Sequence, residues 1–590
     1  MRRRPEKNAV MISLFSTSIL SFSGFTLDDH GCVTDYSATV DYFPPERRAI
    51  MNGASTASDT YFGSAGSQAT MAQDFTIEYH RTFKVLNNLR SGKTYVLRQC
   101  GTPEVIPDLP ASLADATVFE VPVKKWATAG SVNMGYLAEL GLASKAGAVN
   151  ANYFSSPCIH KLIGCDVVPT MATSSYGPAP DYAQVTSPDW IAADADVFFT
   201  DNFGTGATGT AKDVTVDASQ DPGLLHRAEW VKFFAAFFNT ETAANRKFAE
   251  IQTEFETVSA TAKALPAQPR VAHVEYGAAS QWGPESIKIK MPAYMIEAVE
   301  MAGGTPNDPA TNAPANCTAT LNWDGSPGDD YQCSTMEAMR EFLKGADYVI
   351  DTSSSYGLCP EGGAFCYDIT HFLGYFGLDG ASAADYPFLA NGVIRLDKRQ
   401  SDNTDFGGPG AIGDDWFESQ LSQPSLTIHD VAAIIHPDAF PGYTTRWMRN
   451  LVKGEVAEVV SKGECTDPYA VCSGETAPAK SVDAAATEIE NKCLGEVCGF
   501  GGEWSTRAPS PPPSPLPPSP PPQVVEVEVE VPTASLSSET TTLSPEVLAA
   551  IIAPIAALAL ALMCILVMVV KERSGTPMFS TLAVEAEPKV

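Results

Sequence analysis

The sequence predicts an α/β ectodomain of two similar lobes, followed by one C-terminal transmembrane helix. Strands alternate with helices from Val118 onwards, a pattern that favours parallel sheets covered on both faces. A helix that runs into an Ala-Asp strand ending in Asp occurs twice, at 187–201 and 336–351, about 150 residues apart. An uncharged, apolar run of 24 residues at 547–570 is long enough to cross a bilayer.

In the first lobe, the pattern predicts a strand at 118–123, a helix at 131–142 and a buried strand at 146–149. A second helix, 187–194, leads directly into the strand 195–201. In the second lobe, we expect strands and helices in the same alternation. The predicted strands are 270–276 and 346–351, and the predicted helices are 292–304, 336–345 and 426–440.

A helical connector joins the two lobes. Trp230, Phe233, Phe234 and Phe237 recur at the spacing of one helix face. Phe248, Ile251, Phe255 and Val258 continue that pattern. The apolar faces are wide enough to pack against both lobes.

The two ends of the chain predict a type I membrane protein. Residues 1–25 combine the basic start MRRRPEK with a short apolar stretch, as in a secretory signal. Lys571 and Arg573 follow the apolar run at 547–570, which places the tail in the cytoplasm and the ectodomain outside. A run of ten prolines at 509–522 predicts a stiff polyproline II stalk, similar to the Ser-Pro repeats of algal and plant cell-wall glycoproteins.

The cysteines fit an oxidising compartment. Cys564 lies in the predicted span, and the other twelve are extracellular and even in number, which indicates disulfides. Local pairs at short spacing are candidates, although spacing does not determine connectivity: 158/165, 359/366, 465/472 and 493/498. Cys158, His160 and Cys165 could instead form part of a metal site, but no fourth ligand is identifiable.

Charge excludes one class of partner. The 590 residues carry 39 Lys+Arg against 70 Asp+Glu, a formal net charge of −31. Nucleic acid binding needs concentrated positive charge, so we expect no nucleic acid partner.

Six segments in order resemble the class III substrate-binding proteins of ABC importers, which carry iron–siderophore complexes, haem or cobalamin, and their plant and algal relatives. The resemblance spans about 118–451 and implies two Rossmann-like lobes joined by a rigid helix, with the ligand in the cleft between them. The proline stalk, the membrane anchor and the insertions at 306–332 and 401–415 depart from that family. The segments are LAELGLASKAGAV, SPDWIAADADVFFTD, HRAEWVKFFAAFFNTETAANRKFAEI, MIEAVEMAGGT, FLKGADYVIDT and HDVAAIIHPDAF.

These observations divide the chain into nine parts. The predicted boundaries are a signal peptide at 1–25, an N-terminal extension with a β-hairpin at 26–117, the first lobe at 118–221, connecting helices at 222–265, the second lobe at 266–455, a Cys-containing region at 456–506, the stalk at 507–546, the transmembrane helix at 547–570 and a cytoplasmic tail at 571–590.

Two glycine-containing motifs predict loops rather than phosphate sites. The G-x-G-x-x-G at 204–209 follows a strand, but a dinucleotide site needs a helix directly after it, and 210–216 lacks a helical pattern. Ser91-Gly92-Lys93-Thr94 lacks the first glycine of a phosphate loop, and apolar strands on both sides indicate a hairpin turn. With no catalytic motif present, we expect no enzyme.

The candidate ligand-binding residues lie just after strand ends, where open α/β sheets place ligands. Aromatic rings would suit a macrocycle or siderophore, whereas tyrosine, histidine and carboxylates would suit a bare metal ion. Each of them could instead be simple rim packing. The candidates are Tyr153, His160, Tyr176, Asp201 and Asn202 in the first lobe, and Glu275, Tyr276, Trp282, Tyr356, Tyr367 and His371 in the second.

The sequence therefore predicts a cell-surface solute-binding receptor at the plasma membrane that captures a metal complex or a metal ion for uptake. We expect no resident cofactor, and a membrane transporter or a reductase as the protein partner. Asn316-Cys317-Thr318 is an N-glycosylation acceptor, at Asn316. A structural or adhesive glycoprotein that keeps the fold without a ligand is the alternative, and an extracellular enzyme is the least supported reading.

Overall fold

The structure, a computed structural model, describes residues 24–50, 71–149, 154–168, 194–201, 207–279, 284–312, 316–321, 327–353, 366–402 and 412–460, with short strands at 20–22 and 67–68 and Pro314. These residues lie within one compact unit, Met1–Gly499. The predicted stalk, transmembrane helix and tail, most of the signal peptide and most of the Cys-containing region lie outside them. Among the described residues, no helix combines the length and hydropathy needed to span a membrane.

The N-terminal region forms two sheets. β1 (Leu20–Phe22) and β2 (Phe25–Leu27) make an antiparallel ribbon. The larger sheet has the order β3-β4-β5-β6-β7 and is antiparallel except for the parallel pair β6 and β7. Its β5–β6 hairpin turns at residues 89–92, which confirms the predicted hairpin. The strands are β3 (Ser67–Gln68), β4 (Phe75–Tyr79), β5 (Phe83–Asn88), β6 (Lys93–Gln99) and β7 (Thr117–Val121).

The first lobe is a four-stranded, fully parallel sheet with the order β11-β10-β8-β9. The predicted boundary at Val118 falls within β7, which pairs with the N-terminal sheet, so β8 is the first strand of this lobe. Parallel pairing follows from the alternation of strands with helices seen in the sequence. The elements are β8 (Trp126–Thr128), α1 (Val132–Glu139), β9 (Ala146–Val149), α2 (Pro157–Gly164), β10 (Val197–Asp201) and β11 (Asp213–Val216).

Three helices leave the first lobe: α3 (Leu224–Glu229), α4 (Val231–Phe238) and α5 (Glu241–Lys263). Asn239 ends α4 with a φ of 56°, a left-handed conformation that asparagine adopts more readily than most residues. α5 is 23 residues long and buries Phe248, Ile251, Phe255 and Val258, as the apolar spacing predicts.

The second lobe is built on a mixed sheet with the order β15-β16-β13-β12-β17-β18-β21, and β14 also pairs with β12. Its centre, β12-β17-β18, is parallel, and antiparallel strands extend it on both sides. The strands are β12 (Arg270–Gly277), β13 (Ser286–Ile289), β14 (Thr305–Pro306), β15 (Cys317–Leu321), β16 (Pro327–Cys333), β17 (Tyr348–Asp351), β18 (Val393–Arg395) and β21 (Arg449–Asn450).

Helices cover this sheet, and a small sheet with the order β20-β19-β22 follows it. The helix α12 packs along α5, where the Ser425 hydroxyl donates a hydrogen bond to Glu254 at 3.0 Å. The remaining elements are α6 (Ala293–Met301), α7 (Pro309–Asn312), α8 (Met336–Leu343), α9 (Ile369–Tyr375), α10 (Phe388–Asn391), β19 (Arg399–Asp402), β20 (Ile412–Asp414), α11 (Asp415–Ser419), α12 (Pro424–Ile435) and β22 (Glu458–Val460).

The structure contains disulfides, as the cysteine count predicts, and corrects one pairing. Cys32 bonds to Cys100, and Cys317 bonds to Cys333 across β15 and β16. Cys158 and Cys165 are also disulfide-bonded, but they lie at opposite ends of α2. The helical rise separates their Cα atoms by about 10 Å, beyond the ~4.4–6.8 Å of a disulfide, so the local pair 158/165 is wrong.

The aromatic face of α4 holds the N-terminal sheet and the first lobe together. Phe234 is fully buried, with its ring centroid 5.0 Å from that of Tyr136 and 4.8 Å from that of Phe199. Phe75 of the N-terminal sheet has its ring centroid 5.7 Å from that of Phe233 on the same helix. One helix therefore supplies core to two sheets.

We expect Phe234→Ala to lower the free energy of unfolding by about 3–5 kcal/mol, because it leaves a cavity between two rings that cannot close over it. Guanidinium unfolding of the full-length protein in detergent, followed by circular dichroism, measures this. The matched control is Phe417→Ala, since Phe417 is 59% exposed and should change stability little. A Phe234→Ala protein as stable as the control would contradict the assignment of this core.

Candidate functional site

Segments that follow the carboxyl ends of β9 in the first lobe and β18 in the second lobe contact each other. In the first lobe, Phe154 is the first described residue after β9. In the second lobe, β19 and β20 follow β18 in the chain. The Ser401 hydroxyl of β19 donates a hydrogen bond to the Phe154 carbonyl. Gly413 of β20 lies so close to that carbonyl that a Cβ at 413 would collide with it. The contact therefore joins two segments that each follow the carboxyl end of a parallel strand, one in each lobe.

Glu418 of α11 connects the lobes at this boundary. Its carboxylate accepts hydrogen bonds from the Ser155 amide at 2.6 Å and from the Ser155 hydroxyl at 3.0 Å. The side chain is 2% exposed, and burial, together with the nearby Asp415, raises the pKa of Glu418 to about 8. On the same helix, the Glu418 carbonyl contacts α1 of the first lobe at Gly135, where a side chain would not fit. The contact between the lobes is therefore tight and centred on a buried carboxyl group.

A buried charge network lies at the carboxyl ends of β17 and β18. The Arg395 guanidinium donates hydrogen bonds to Asp351 at 3.2 Å, to Asp397 at 2.9 Å and to the Ser353 carbonyl at 2.5 Å. Arg449 donates to Asp397 at 2.6 Å. Burial alone would raise the pKa of Asp397, but the two arginines lower it, so this carboxylate stays ionised. Two acids and two arginines thus balance, and they fix the strand ends of the second lobe.

An aromatic cluster stands beside this network, and we define it as Tyr276, Tyr367, His371 and Tyr375. The ring centroids are 5.0 Å apart for Tyr276 and Tyr375, 6.5 Å for Tyr375 and Tyr367, and 5.8 Å for Tyr367 and His371. All three pairs are stacked. The Arg395 guanidinium lies 4.4 Å from the Tyr367 ring centroid, a cation–π contact that links the cluster to the charge network.

Three of the predicted second-lobe residues meet in this cluster, in different environments. Tyr367 is fully buried, and Tyr276 is 9% exposed with its hydroxyl donating to Glu285 at 2.7 Å. His371 is half-buried and hydrogen-bonds to Asp368 at 2.7 Å in the cap of α9. Glu275 points to the other face of β12, where it pairs with Lys288 at 3.0 Å. Their role in ligand binding stays a prediction.

The first-lobe candidates are less defined. His160 is 2% exposed on α2, its Nε2 lies 2.7 Å from the Phe154 carbonyl oxygen, and burial lowers its pKa. Its role in ligand binding stays a prediction. Asp201 ends β10 at the carboxyl edge of the sheet, as predicted. The other candidates lie outside the described residues: Tyr153, Tyr176 and Asn202, together with Trp282 and Tyr356 of the second lobe.

Sequence reasoning missed Arg395, Arg449, Glu418 and Tyr375. One signal was available, because Asp351 ends the repeated Ala-Asp strand, and a carboxylate at a buried strand end needs a partner. The partner of Asp351 is Arg395, 44 residues later in the chain. Glu418 bonds to Ser155, 263 residues before it. Only the fold brings them together.

No metal centre is visible in the part of the chain that the structure describes, where no three His, Cys, Asp or Glu side chains group to hold an ion. The two loop motifs behave as expected. Residues after the G-x-G-x-x-G enter β11 rather than a helix. Asn316 is exposed, next to the disulfide-bonded Cys317, and its glycosylation stays a prediction.

Comparison with known proteins gives one sequence match, and no family model matches the chain. An uncharacterized lipoprotein of Methanocaldococcus jannaschii is 27% identical over 226 residues. The match covers 38% of this chain and 42% of that protein, so the chain spans under half the length of this relative.

Among solved structures, a periplasmic heme-binding protein from Pseudomonas aeruginosa matches with 13% identity and a TM-score of 0.35. The match covers 56% of this chain and 98% of that chain. A petrobactin-binding protein from Bacillus subtilis has 15% identity, coverage of 52% and 92%, and a TM-score of 0.33. The two-lobed architecture itself rests on the sheets and helices described above.

Glu418 makes the stability of the lobe boundary depend on pH. Its pKa is raised from an ordinary 4.5 to about 8, so the folded protein favours the protonated carboxyl group. The resulting stabilisation is complete below pH 4.5 and is lost as the pH rises to about 8, at up to ~1.4 kcal/mol per pH unit.

We expect Glu418→Gln, which is always neutral, to match the wild type near pH 5 and to exceed its thermal stability at pH 8 and above. Thermal unfolding of both proteins between pH 5 and 9 measures the difference. Glu256→Gln, on the exposed face of α5, is the surface control. A difference between Glu418→Gln and wild type that does not grow with pH would contradict the buried, protonated carboxyl.

Arg395→Met should destabilise the second lobe by about 3–5 kcal/mol, since it leaves Asp351 buried without a counter-charge. Adding Asp351→Asn should restore part of that loss, because it removes the orphaned charge. Denaturant unfolding of the single and double variants tests this, with the exposed Lys344→Met as a control that leaves the midpoint unchanged. A double variant no better than Arg395→Met would show that packing, not charge, determines the effect.

Proposed function

We propose that this protein is a non-enzymatic solute-binding receptor that holds its ligand between the two lobes. The observation that carries this proposal is the contact of Phe154 and Ser155 with Ser401 and Glu418. This contact joins segments that follow the carboxyl ends of strands in two α/β sheets, and open α/β sheets bind ligands beyond such strand ends.

The second lobe supplies a preorganised wall for this site. The charge network fixes the strand ends before any ligand arrives, so little ordering remains to oppose binding. Within the aromatic cluster, Tyr375 and His371 are half-buried and retain exposed surface. Flat, rigid aromatic surface suits a macrocycle or an aromatic chelate better than a small hydrophilic solute.

We therefore propose a metal complex, such as haem, cobalamin or an iron–siderophore complex, as the ligand. The sequence supports an extracellular position for the site, with a membrane anchor at 547–570 and a transporter or reductase as the protein that receives the ligand. The disulfides of the ectodomain agree with an oxidising compartment.

Tyr375→Ala should weaken ligand binding about tenfold or more, because it removes the central ring of the stacked cluster. Tryptophan fluorescence and calorimetry on the full-length protein in detergent measure binding to haem, ferric siderophores, cobalamin and divalent cations. Tyr36→Ala is the matched control, since Tyr36 is 37% exposed in the N-terminal region.

Thermal unfolding of each variant, run in parallel, separates lost binding from lost folding. Binding that saturates for one ligand class and falls only in Tyr375→Ala supports the proposal. The absence of binding across the whole panel would overturn it in favour of a structural glycoprotein.

A further inference from the structure

A cavity lies between the N-terminal sheet and β11, the strand at the edge of the first lobe. Its volume is about 560 Å³. One wall is the β5–β6 hairpin with Arg90, Ser91 and Lys93, and the other is formed by β10, β11 and Asp217. Two contacts fix the walls: the Thr215 amide donates to the Tyr95 hydroxyl at 2.8 Å, and the Asn88 amide donates to the Thr215 carbonyl at 2.9 Å.

Asp217 lines this cavity with an unsatisfied carboxylate. The residue is 1% exposed, and neither carboxylate oxygen accepts a hydrogen bond from any described residue. It directly precedes the short 3₁₀ turn at 218–220 but does not cap it. A buried carboxylate without partners is costly, and nearly all such groups in proteins are hydrogen-bonded. The cavity is therefore lined by a residue whose acceptor oxygens have no hydrogen-bond partner among the described residues.

The opposite wall adds a second unsatisfied group and positive charge. The Ser91 hydroxyl is buried and also lacks a hydrogen-bond partner among the described residues. Arg90 and Lys93 flank it at the exposed rim, where Arg90 pairs with Asp74 at 3.2 Å. The cavity thus combines an acidic interior with a basic, hydroxyl-bearing rim.

A phosphate does not fit this pattern, although both glycine-containing motifs reach the cavity. The Thr208 and Gly209 amides, which could hold an anion, already donate to Asp213 at 3.0 and 2.8 Å. The free carboxylate of Asp217 would also repel a phosphate. Charges of both signs at the two ends of one cavity match a ligand that carries both.

We propose that this cavity binds a small zwitterion of the amino-acid class. The ligand's ammonium group donates hydrogen bonds to Asp217, and its carboxylate faces Ser91, Lys93 and Arg90. Thr200 and Thr215 also line the cavity. The site is separate from the lobe boundary and does not depend on the function proposed above.

The test is calorimetry on the full-length protein in detergent, with glycine, L-alanine, L-serine, L-lysine and L-glutamate as zwitterions, spermidine as a cation and acetate as an anion. We expect saturable binding of at least one amino acid. Asp217→Asn should weaken it tenfold or more, and Lys93→Met should weaken it less. Glu104→Gln, an exposed acid on the same N-terminal region, should leave it unchanged.

A second measurement separates a ligand-binding role from a structural one. If Asp217 awaits a ligand, Asp217→Asn without amino acid should unfold at the same or a higher temperature than the wild type, because it removes an unpaired buried charge. If Asp217 is structural, the variant should unfold at a lower temperature, which would overturn the proposal. Binding of spermidine alone, or of no compound in the set, would also overturn it.

Discussion

The aromatic packing of α4 is the contact on which the rest of the fold depends. Phe233, Phe234 and Phe237 of this helix are fully buried. Phe237 packs against Phe119 of the N-terminal sheet and against Phe199 of the first lobe. The helix ends at Asn239, where the buried Lys84 donates to the Ala236 carbonyl, to Asn239 and to Glu241 of the next helix. The direction in which α5 leaves the first lobe is therefore fixed by core packing and by one satisfied buried amine. The second lobe is placed through α5.

Polar contacts then determine how the lobes meet. Apolar packing alone would not define how the lobes align. Here the hydrogen bonds of Glu418 and Ser401 and the close approach of Gly413 position the Phe154–Ser155 backbone. A long helix along one side and a tight boundary near the strand ends leave little freedom for hinge motion. This geometry suits a receptor that recognises a rigid ligand with small rearrangements.

The sequence predicted the parts of the fold that depend on local pattern. The alternation at 146–149 and 270–276 and the apolar spacing from Trp230 to Val258 correspond to β9, β12, α4 and α5. These signals are local because a strand or helix buries its own face. The larger N-terminal sheet was only partly predicted, since its order depends on a parallel pair, β6 and β7, joined by a connection that carries no helix signal.

The candidate site divides in the same way. Tyr276, Tyr367 and His371 could be selected because they follow predicted strands, and the structure brings these three into one cluster. Arg395, Glu418 and Tyr375 could not, because their positions depend on contacts between distant segments. A buried acid such as Asp351 needs a counter-charge, but the sequence alone does not identify the arginine that supplies it. Asp217 gave no signal at all, since its distinguishing property is a missing partner.

The contact between the hairpin and Thr215 has a further consequence for the solubility of the chain. β11 is the edge strand of the first lobe, and an open edge is a template for adding strands from other molecules. The Thr215 amide donates a hydrogen bond to the Tyr95 hydroxyl, and the Thr215 carbonyl accepts one from the Asn88 side chain. A strand from another molecule could pair there only by displacing these two side chains. The N-terminal sheet thus protects this edge from aggregation, much as a neighbouring strand would, while it leaves room for a cavity beside it.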